Sequence, residues 1–233
     1  MENNLYNHLK KKFGFPFIVK ESIKARRVSI RIREATGVVS VTLPRGVDAS
    51  FLAKFVEKHT AWIQKNLAKT VKPEMVRLGV KLPIEGSLRE LALDRNLHCD
   101  FEILSDKILL KTVSPTCGVQ VQRALISRSR VIFADLSFEY AERLEVKFSK
   151  ISIKDPKSRW ASCSSSGALM YSWRLIMAPS NIIRYVVAHE ISHLLHLNHS
   201  KDFWSVVHSL CPNYNAHRLW LRSNGKNLHK FVF

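Results

Sequence analysis

Several absences narrow the reading of this 233-residue chain before any motif is considered. No apolar run approaches the length of a membrane span, and charged residues interrupt every candidate, so a spanning helix is not expected. The first residues, MENNLYNHLKKKFGFPF, contain no apolar core ahead of a small-residue cleavage site, which argues against export by a signal peptide. Cysteine is scarce. Cys99, Cys117, Cys163 and Cys211 are scattered, with no C-x-x-C pair, as expected for reduced thiols in a soluble, cytoplasmic protein rather than for a disulfide framework. Internal repeats and low-complexity segments are also lacking. Acidic residues are few, 19 against 37 lysines and arginines, and beyond Glu190 the chain holds no glutamate and one aspartate, Asp202.

The acidic deficit leaves a formal charge of +18. It is spread evenly: residues 1–120 carry 21 basic against 12 acidic side chains, and residues 121–233 carry 16 against 7. The densest stretch is Lys10 to Arg33, where nine cations meet Glu21 alone. A polyanionic partner or substrate, nucleic acid or nucleotide, is one inference, and colloidal solubility alone is the other. No recognised nucleic-acid-binding motif accompanies the charge.

Against this background one segment stands out, HEISHLLHLNHS at residues 189–200. On a helix His189 and His193 share a face, so both imidazoles can address one ion, and Glu190 projects beside it. This is the H-E-x-x-H arrangement of zinc hydrolases, in which the glutamate acts as general base. The preceding residues suit a helix: Pro179 and Ser180 punctuate, then Ile182, Ile183, Val186 and Val187 form an apolar stripe.

The third ligand follows by elimination. With no glutamate downstream, a glutamate ligand is impossible, and His196 and His199 compete. His196 shares the face of His189 and His193 if the helix continues, but three ligands on one helix close a tetrahedral site poorly. His199 approaches from another direction if the chain turns after about Leu197, where Asn198 tolerates a left-handed conformation. Ser200 then caps a new helix through Leu210, with Asp202 in its first turn. His199 is the preferred ligand and His196 the alternative. The spacing of His189, His193 and His199 equals that of the metzincins, but His196 replaces their glycine and no methionine lies downstream.

Elsewhere the chain reads as α+β, a β-rich region with one helix followed by a catalytic unit. Residues 17–45 alternate as paired strands, with Glu34 to Gly37 as a turn. Asp48 or Ser50 caps a helix over Phe51 to Lys69 that includes Phe51 and Trp62 among its apolar residues. Short strands follow near 75–83, 87–94, 98–104 and 107–113, and Pro115 to Gly118 punctuates. A long helix over Val119 to Leu144 offers Leu125, Val131, Ile132, Leu136, Tyr140 and Leu144 to a core. Lys150 to Lys154 reads as a strand, with Ser164 to Gly167 as a turn between two more.

In order along the chain, SRWASC at 158–163, SWRLIMAP at 172–179, YVVAHEISHLLHLNHSKDFW at 185–204 and Pro212 to Tyr214 resemble the YgjP-like metallopeptidase domain family, a group of zincin-like hydrolases related to the SprT-like proteins. The chain departs from the family's usual residues at Ala161, where glycine is usual, and at Ser172, where asparagine is common. The resemblance implies a Zn2+ held by His189, His193 and His199, Glu190 as catalytic base, and a peptide or protein substrate. It also implies a zincin-like fold with the H-E-x-x-H helix packed on a small sheet. The expected division is residues 1–117 as the β-rich region and 118–233 as the metal-hydrolase domain. Arg159, Trp160, Ser162 and Cys163 are candidates to shape the cleft, with packing the favoured role of Trp160. A phosphoester or nucleotide hydrolase, and a nucleic-acid-associated protein with a structural zinc, are the competing functions.

Overall fold

Alternation of apolar residues builds the first sheet. In the computed structural model, which describes residues 13–15, 17–33, 37–68, 72–112 and 117–233, Val39, Val41 and Leu43 point to one face of a strand and are fully buried. That strand, β3 (Val38–Leu43), is central: β1 (Phe17–Glu21) pairs with it in parallel and β2 (Ser29–Arg33) antiparallel. The expected turn residues Glu34 to Thr36, Lys69 at the expected helix end, and Pro115 and Thr116 lie outside the described residues, as do Lys10, Lys11 and Lys12 of the basic stretch.

Asp48 caps the next helix, α1 (Ala49–Lys58), by accepting the Ser50 N–H at 3.2 Å. The single helix expected from Phe51 to Lys69 is broken at His59, and α2 (Thr60–Leu67) follows. His59 leaves helical geometry at φ −101°, and its Nδ1–H donates to the Phe55 carbonyl at 2.7 Å, a side-chain substitute for a backbone bond. Leu52, Val56 and Ile63 pack on the sheet's apolar face with Phe15 and Phe17. Phe51 and Trp62 point outward and are about half exposed, each one residue ahead of a buried side chain, Leu52 and Ile63, and so turned off the packed face.

Residues up to Pro73 form one compact unit and Glu74–Phe233 a second. The division therefore falls well before the expected boundary at 117/118. The reason is a shared core: Leu82, Ile84, Leu91, Ile108 and Leu110 are buried in the same cluster as the following long helix. They belong to β5 (Lys81–Ile84), β6 (Ser87–Leu93) and β8 (Lys107–Leu110), which with β7 (Phe101–Ile103) form a sheet of order β5-β6-β8-β7. The long helix α3 (Cys117–Arg143) buries Val121, Leu125, Phe133, Leu136 and Tyr140. Val131, expected in the core, is 53% exposed, since it lies half a turn from Phe133 on the outer side.

Beyond α3, β9 (Lys150–Lys154) pairs in parallel with β11 (Ala168–Ser172), and β10 (Ala161–Cys163) pairs antiparallel on the other side of β11. A 3-10 turn at Trp173–Met177 leads into α4 (Ser180–Ser192), followed by α5 (Lys201–Leu210) and α6 (Tyr214–Asn224). Finally β12 (Phe231–Val232) pairs in parallel with β4 (Glu74–Met75). The class is α+β, with the H-E-x-x-H helix beside the small sheet of β9 to β11. Among the described residues no helix is long and apolar enough to cross a membrane.

One side chain ties the end of the chain to this unit. Arg174 donates through Nε and Nη2 to Asp155 at 2.7 and 3.1 Å, and through Nη1 to the carbonyls of Leu228 and Phe231 at 3.3 and 3.2 Å. Trp173 lies beneath its guanidinium at 4.7 Å. Arg174→Ala leaves a carboxylate and two carbonyls without this donor and should cost about 2–4 kcal/mol in urea unfolding. Arg174→Lys should recover less than half of that, because an ammonium cannot reproduce the planar fork; full recovery by lysine would contradict the assignment.

Candidate active site

Helix α4 is apolar around most of its circumference. Ile182, Ile183, Val186, Val187, Ala188 and Ile191 are all buried, so the polar side chains of its last turn sit in a low-dielectric setting. His189 and Glu190 are consecutive on this helix. Burial pushes His189 down to about 3, helped by the neighbouring His193, His199 and Arg218 charges. The same cause pushes Glu190 up to about 8, opposed by the Cys163 backbone N–H, which donates to its carboxylate. Glu190 Oε2 and His189 Nδ1 are buried and have no hydrogen-bond partner among the described residues.

The helix ends sooner than the sequence suggests. Its last residue is Ser192, and the Leu194 and Leu195 amides bond back three residues, to Ile191 and Ser192. His196 thus lies beyond the last helical residue, and its ring nitrogens are not in the group of converging ligand atoms among the described residues. Its carbonyl instead accepts the His193 Nδ1–H at 3.0 Å. Since a carbonyl only accepts, this fixes the tautomer and leaves His193 Nε2 with its lone pair free. Burial lowers the His193 pKa as well, with the His196 carbonyl working against it.

Asn198 does not adopt the left-handed conformation expected of it: among described non-glycine residues, Glu85 and Glu145 alone have positive φ. Its side chain makes the turn instead, Oδ1 accepting the Ser200 N–H at 3.2 Å. Ser200 then caps α5 as expected, accepting the Phe203 N–H at 3.3 Å. Between these two polar turns His199 swings back over α4. Its Nε2 lies 3.2 Å from His189 Nε2. His189, His193 and His199 each offer one ring nitrogen, all within 4.8 Å of one another. Tetrahedral coordination at about 2.0–2.1 Å places ligand nitrogens about 3.3 Å apart, so the donor set and the His189–His199 edge fit a zinc ion.

Two residues that sequence reasoning did not single out support the cluster. Phe203 is fully buried and lies 4.5–5.0 Å, ring centre to ring centre, from all three imidazoles. Trp204 stacks on His199 at 5.6 Å and on Tyr214 at 5.1 Å, with the Arg218 guanidinium 4.9 Å from its ring. A signal was present: both follow the Ser200 cap within one turn, where side chains face back toward the preceding loop. Cys163 contributes its backbone N–H to Glu190, and burial raises its thiol to about 11; it is not among the converging ligand atoms. Trp160 packs on Gly225 and His229. Arg159 is exposed, and Ser162 lies in β10 in register with Met170.

A helix carrying a histidine, a buried glutamate and a second histidine, joined by a third histidine from a neighbouring loop, is the setting in which comparison with known proteins becomes informative. The model of the YgjP-like metallopeptidase domain matches residues 26–224, and the chain belongs to this family. It is accordingly a hydrolase of the metallopeptidase class, and the family implies a divalent metal, typically zinc. Two solved structures are similar over part of the chain. The metallopeptidase zymogen of Pyrococcus abyssi abylysin is 22% identical over 43% of this chain and 99% of that one, with a TM-score of 0.37. The zymogen of Methanocaldococcus jannaschii jannalysin is 21% identical over 37% and 93%, with a TM-score of 0.33. No curated protein matches.

The Ser200 cap carries a measurable share of this geometry. Ser200→Ala should lower stability by about 1 kcal/mol, and Ser200→Asp should restore it. Equal stability of all three proteins in thermal unfolding would show that the cap contributes nothing.

Proposed function

We propose that the chain hydrolyses peptide bonds with a zinc ion held by His189, His193 and His199 and with Glu190 as general base. The observation that carries this reading is the meeting of three ring nitrogens within 4.8 Å, beside a buried carboxylate on the same helix. Zinc in such a site supplies Lewis acidity toward a carbonyl and lowers the pKa of a bound water to about 7.

The chain's own residues do the rest. Burial keeps His189 and His193 in the neutral form, the one with a free lone pair. The His196 carbonyl holds the His193 ring by its Nδ1–H, which directs Nε2 toward the other two. Glu190 has one oxygen steadied by the Cys163 amide, and its Oε2 is free of protein partners among the described residues. That oxygen takes a proton from the attacking water and passes it to the leaving amine. Burial holds the proton on this carboxyl up to about pH 8, and a cation at the three imidazoles would draw it back toward the carboxylate that a base must be. A structural site would be closed by four protein ligands, whereas three ligand atoms converge among the described residues.

The +18 charge favours a second reading, hydrolysis of phosphoesters or nucleotides at the same site. A peptide library and a nucleotide panel, each tested on metal-loaded protein, separate the two.

Glu190→Gln should lower turnover of whichever substrate is cleaved by about 10²–10⁴-fold while zinc stays bound. Full activity in that variant would remove the glutamate from the chemistry. His199→Ala should lose zinc by atomic absorption after dialysis, whereas His196→Ala should retain one ion per chain, because alanine keeps the carbonyl that orients His193. The opposite pattern would reassign the third ligand.

A further inference from the structure

The charge of the chain is distributed unequally between its two units in one respect that composition alone does not reveal. In the second unit, Arg128 pairs with Glu85, Arg174 with Asp155, Arg184 with Glu139 and Lys230 with Glu74. In the first unit Lys20, Lys24, Arg26, Arg27 and Arg31 are all exposed, and none pairs with a carboxylate among the described residues. Residues 1–73 carry 15 basic against 5 acidic side chains, a denser excess than in the rest of the chain.

Strand register gathers part of this excess on one surface. Ile18, Ser40 and Arg31 form one row across β1, β3 and β2, and Lys20, Thr42 and Ser29 form the next row on the same face. The opposite face carries Phe17, Val39 and Val41 and is covered by Leu52, Val56 and Ile63 from the two helices. On the outer face every one of the six side chains is partly or fully exposed. The acidic residue of these strands, Glu21, falls on the other parity, in register with Leu43. The face therefore offers two cations and three hydroxyls and no carboxylate. The loop from Ser22 to Val28, which joins β1 to β2 at the sheet's edges, adds Lys24, Arg26 and Arg27.

We propose that this face binds a nucleic-acid duplex through its phosphate backbone. Cations and hydroxyl donors without acceptors of negative charge match phosphate oxygens. No aromatic ring lies in the two rows, and stacking platforms are what single strands require. The proposal rests on charge and register in the first unit and not on the peptidase reading, so either can fail without the other.

The test is fluorescence anisotropy of a labelled 20-base-pair DNA duplex titrated with the full chain at several salt concentrations. The wild type should bind with an affinity that falls linearly on a log–log plot against salt. Lys20→Gln combined with Arg31→Gln should reduce that slope by about 2 and weaken binding on the order of 10- to 100-fold at 0.1 M salt. A charge-matched control, Arg123→Gln with Arg130→Gln on exposed positions of α3, should change affinity less than about threefold. Circular dichroism of both variants should match the wild type, and Lys20→Arg should bind as the wild type does. Absence of duplex binding, an equal loss in the control, or tighter binding of a single strand of the same length would each overturn the proposal.

Discussion

The burial of α4 is the constraint on which the rest of the site depends. A helix enclosed by apolar side chains cannot hold charged groups cheaply, and it holds His189 and Glu190 side by side. Both respond in the direction that burial dictates, the imidazole toward its neutral base and the carboxyl toward its protonated acid. The surroundings that give the unit its core thus also set the chemical form of the side chains presented by the helix. Metal ligation calls for an imidazole without its second proton, whereas a carboxyl raised this far serves as a base only once its proton is drawn off, as a neighbouring cation would do.

A buried helix alone would present its polar groups in one direction. The loop after Ser192 supplies the second direction, and it does so with short-range bonds. Backbone bonds to Ile191 and Ser192 unwind the helix, the His196 carbonyl takes the His193 proton, and Asn198 and Ser200 make successive side-chain caps. Seven residues therefore reverse the chain and bring His199 within 3.2 Å of His189. Phe203 then fills the space beneath all three rings. A flat hydrocarbon surface there limits ring rotation without competing for the ring nitrogens, which a polar neighbour would do.

What the sequence made legible followed from local rules. The spacing of His189, Glu190 and His193, the elimination of a glutamate ligand and the Ser200 cap are statements about adjacent residues, and α5 begins where the cap requires. Features set by distant contacts were not legible. Val131 reads as core by its apolar character, but it stands half a turn from the stripe formed by Leu125, Phe133 and Leu136 and faces outward. The strands at 81–110 read as part of the amino-terminal region because strand signals do not state which core they join; Leu82, Leu91 and Ile108 join that of α3. At Asn198 the type of residue suggested a turn correctly but the wrong means, since the side chain and not a left-handed backbone makes it. Phe203 was hidden for a related reason: an apolar residue in an amphipathic helix reads as core, and its role appears once the histidines above it are placed.

Charge is used differently in the two units, and the difference has a physical reading. In the second unit ion pairs join segments apart in sequence, Arg128 to Glu85 and Arg174 to Asp155 and two carbonyls near the chain's end. There a cation substitutes for backbone pairing between short elements, and its charge is neutralised where it acts. In the first unit the aliphatic and aromatic core of Phe17, Val39, Val41 and Val56 suffices for two helices on three strands, and the cations take no part in it. Unneutralised like charges on a small sheet repel one another, which opposes folding of that unit. That cost falls on the one face from which the sheet's carboxylate is absent, and an anion bound there would relieve it.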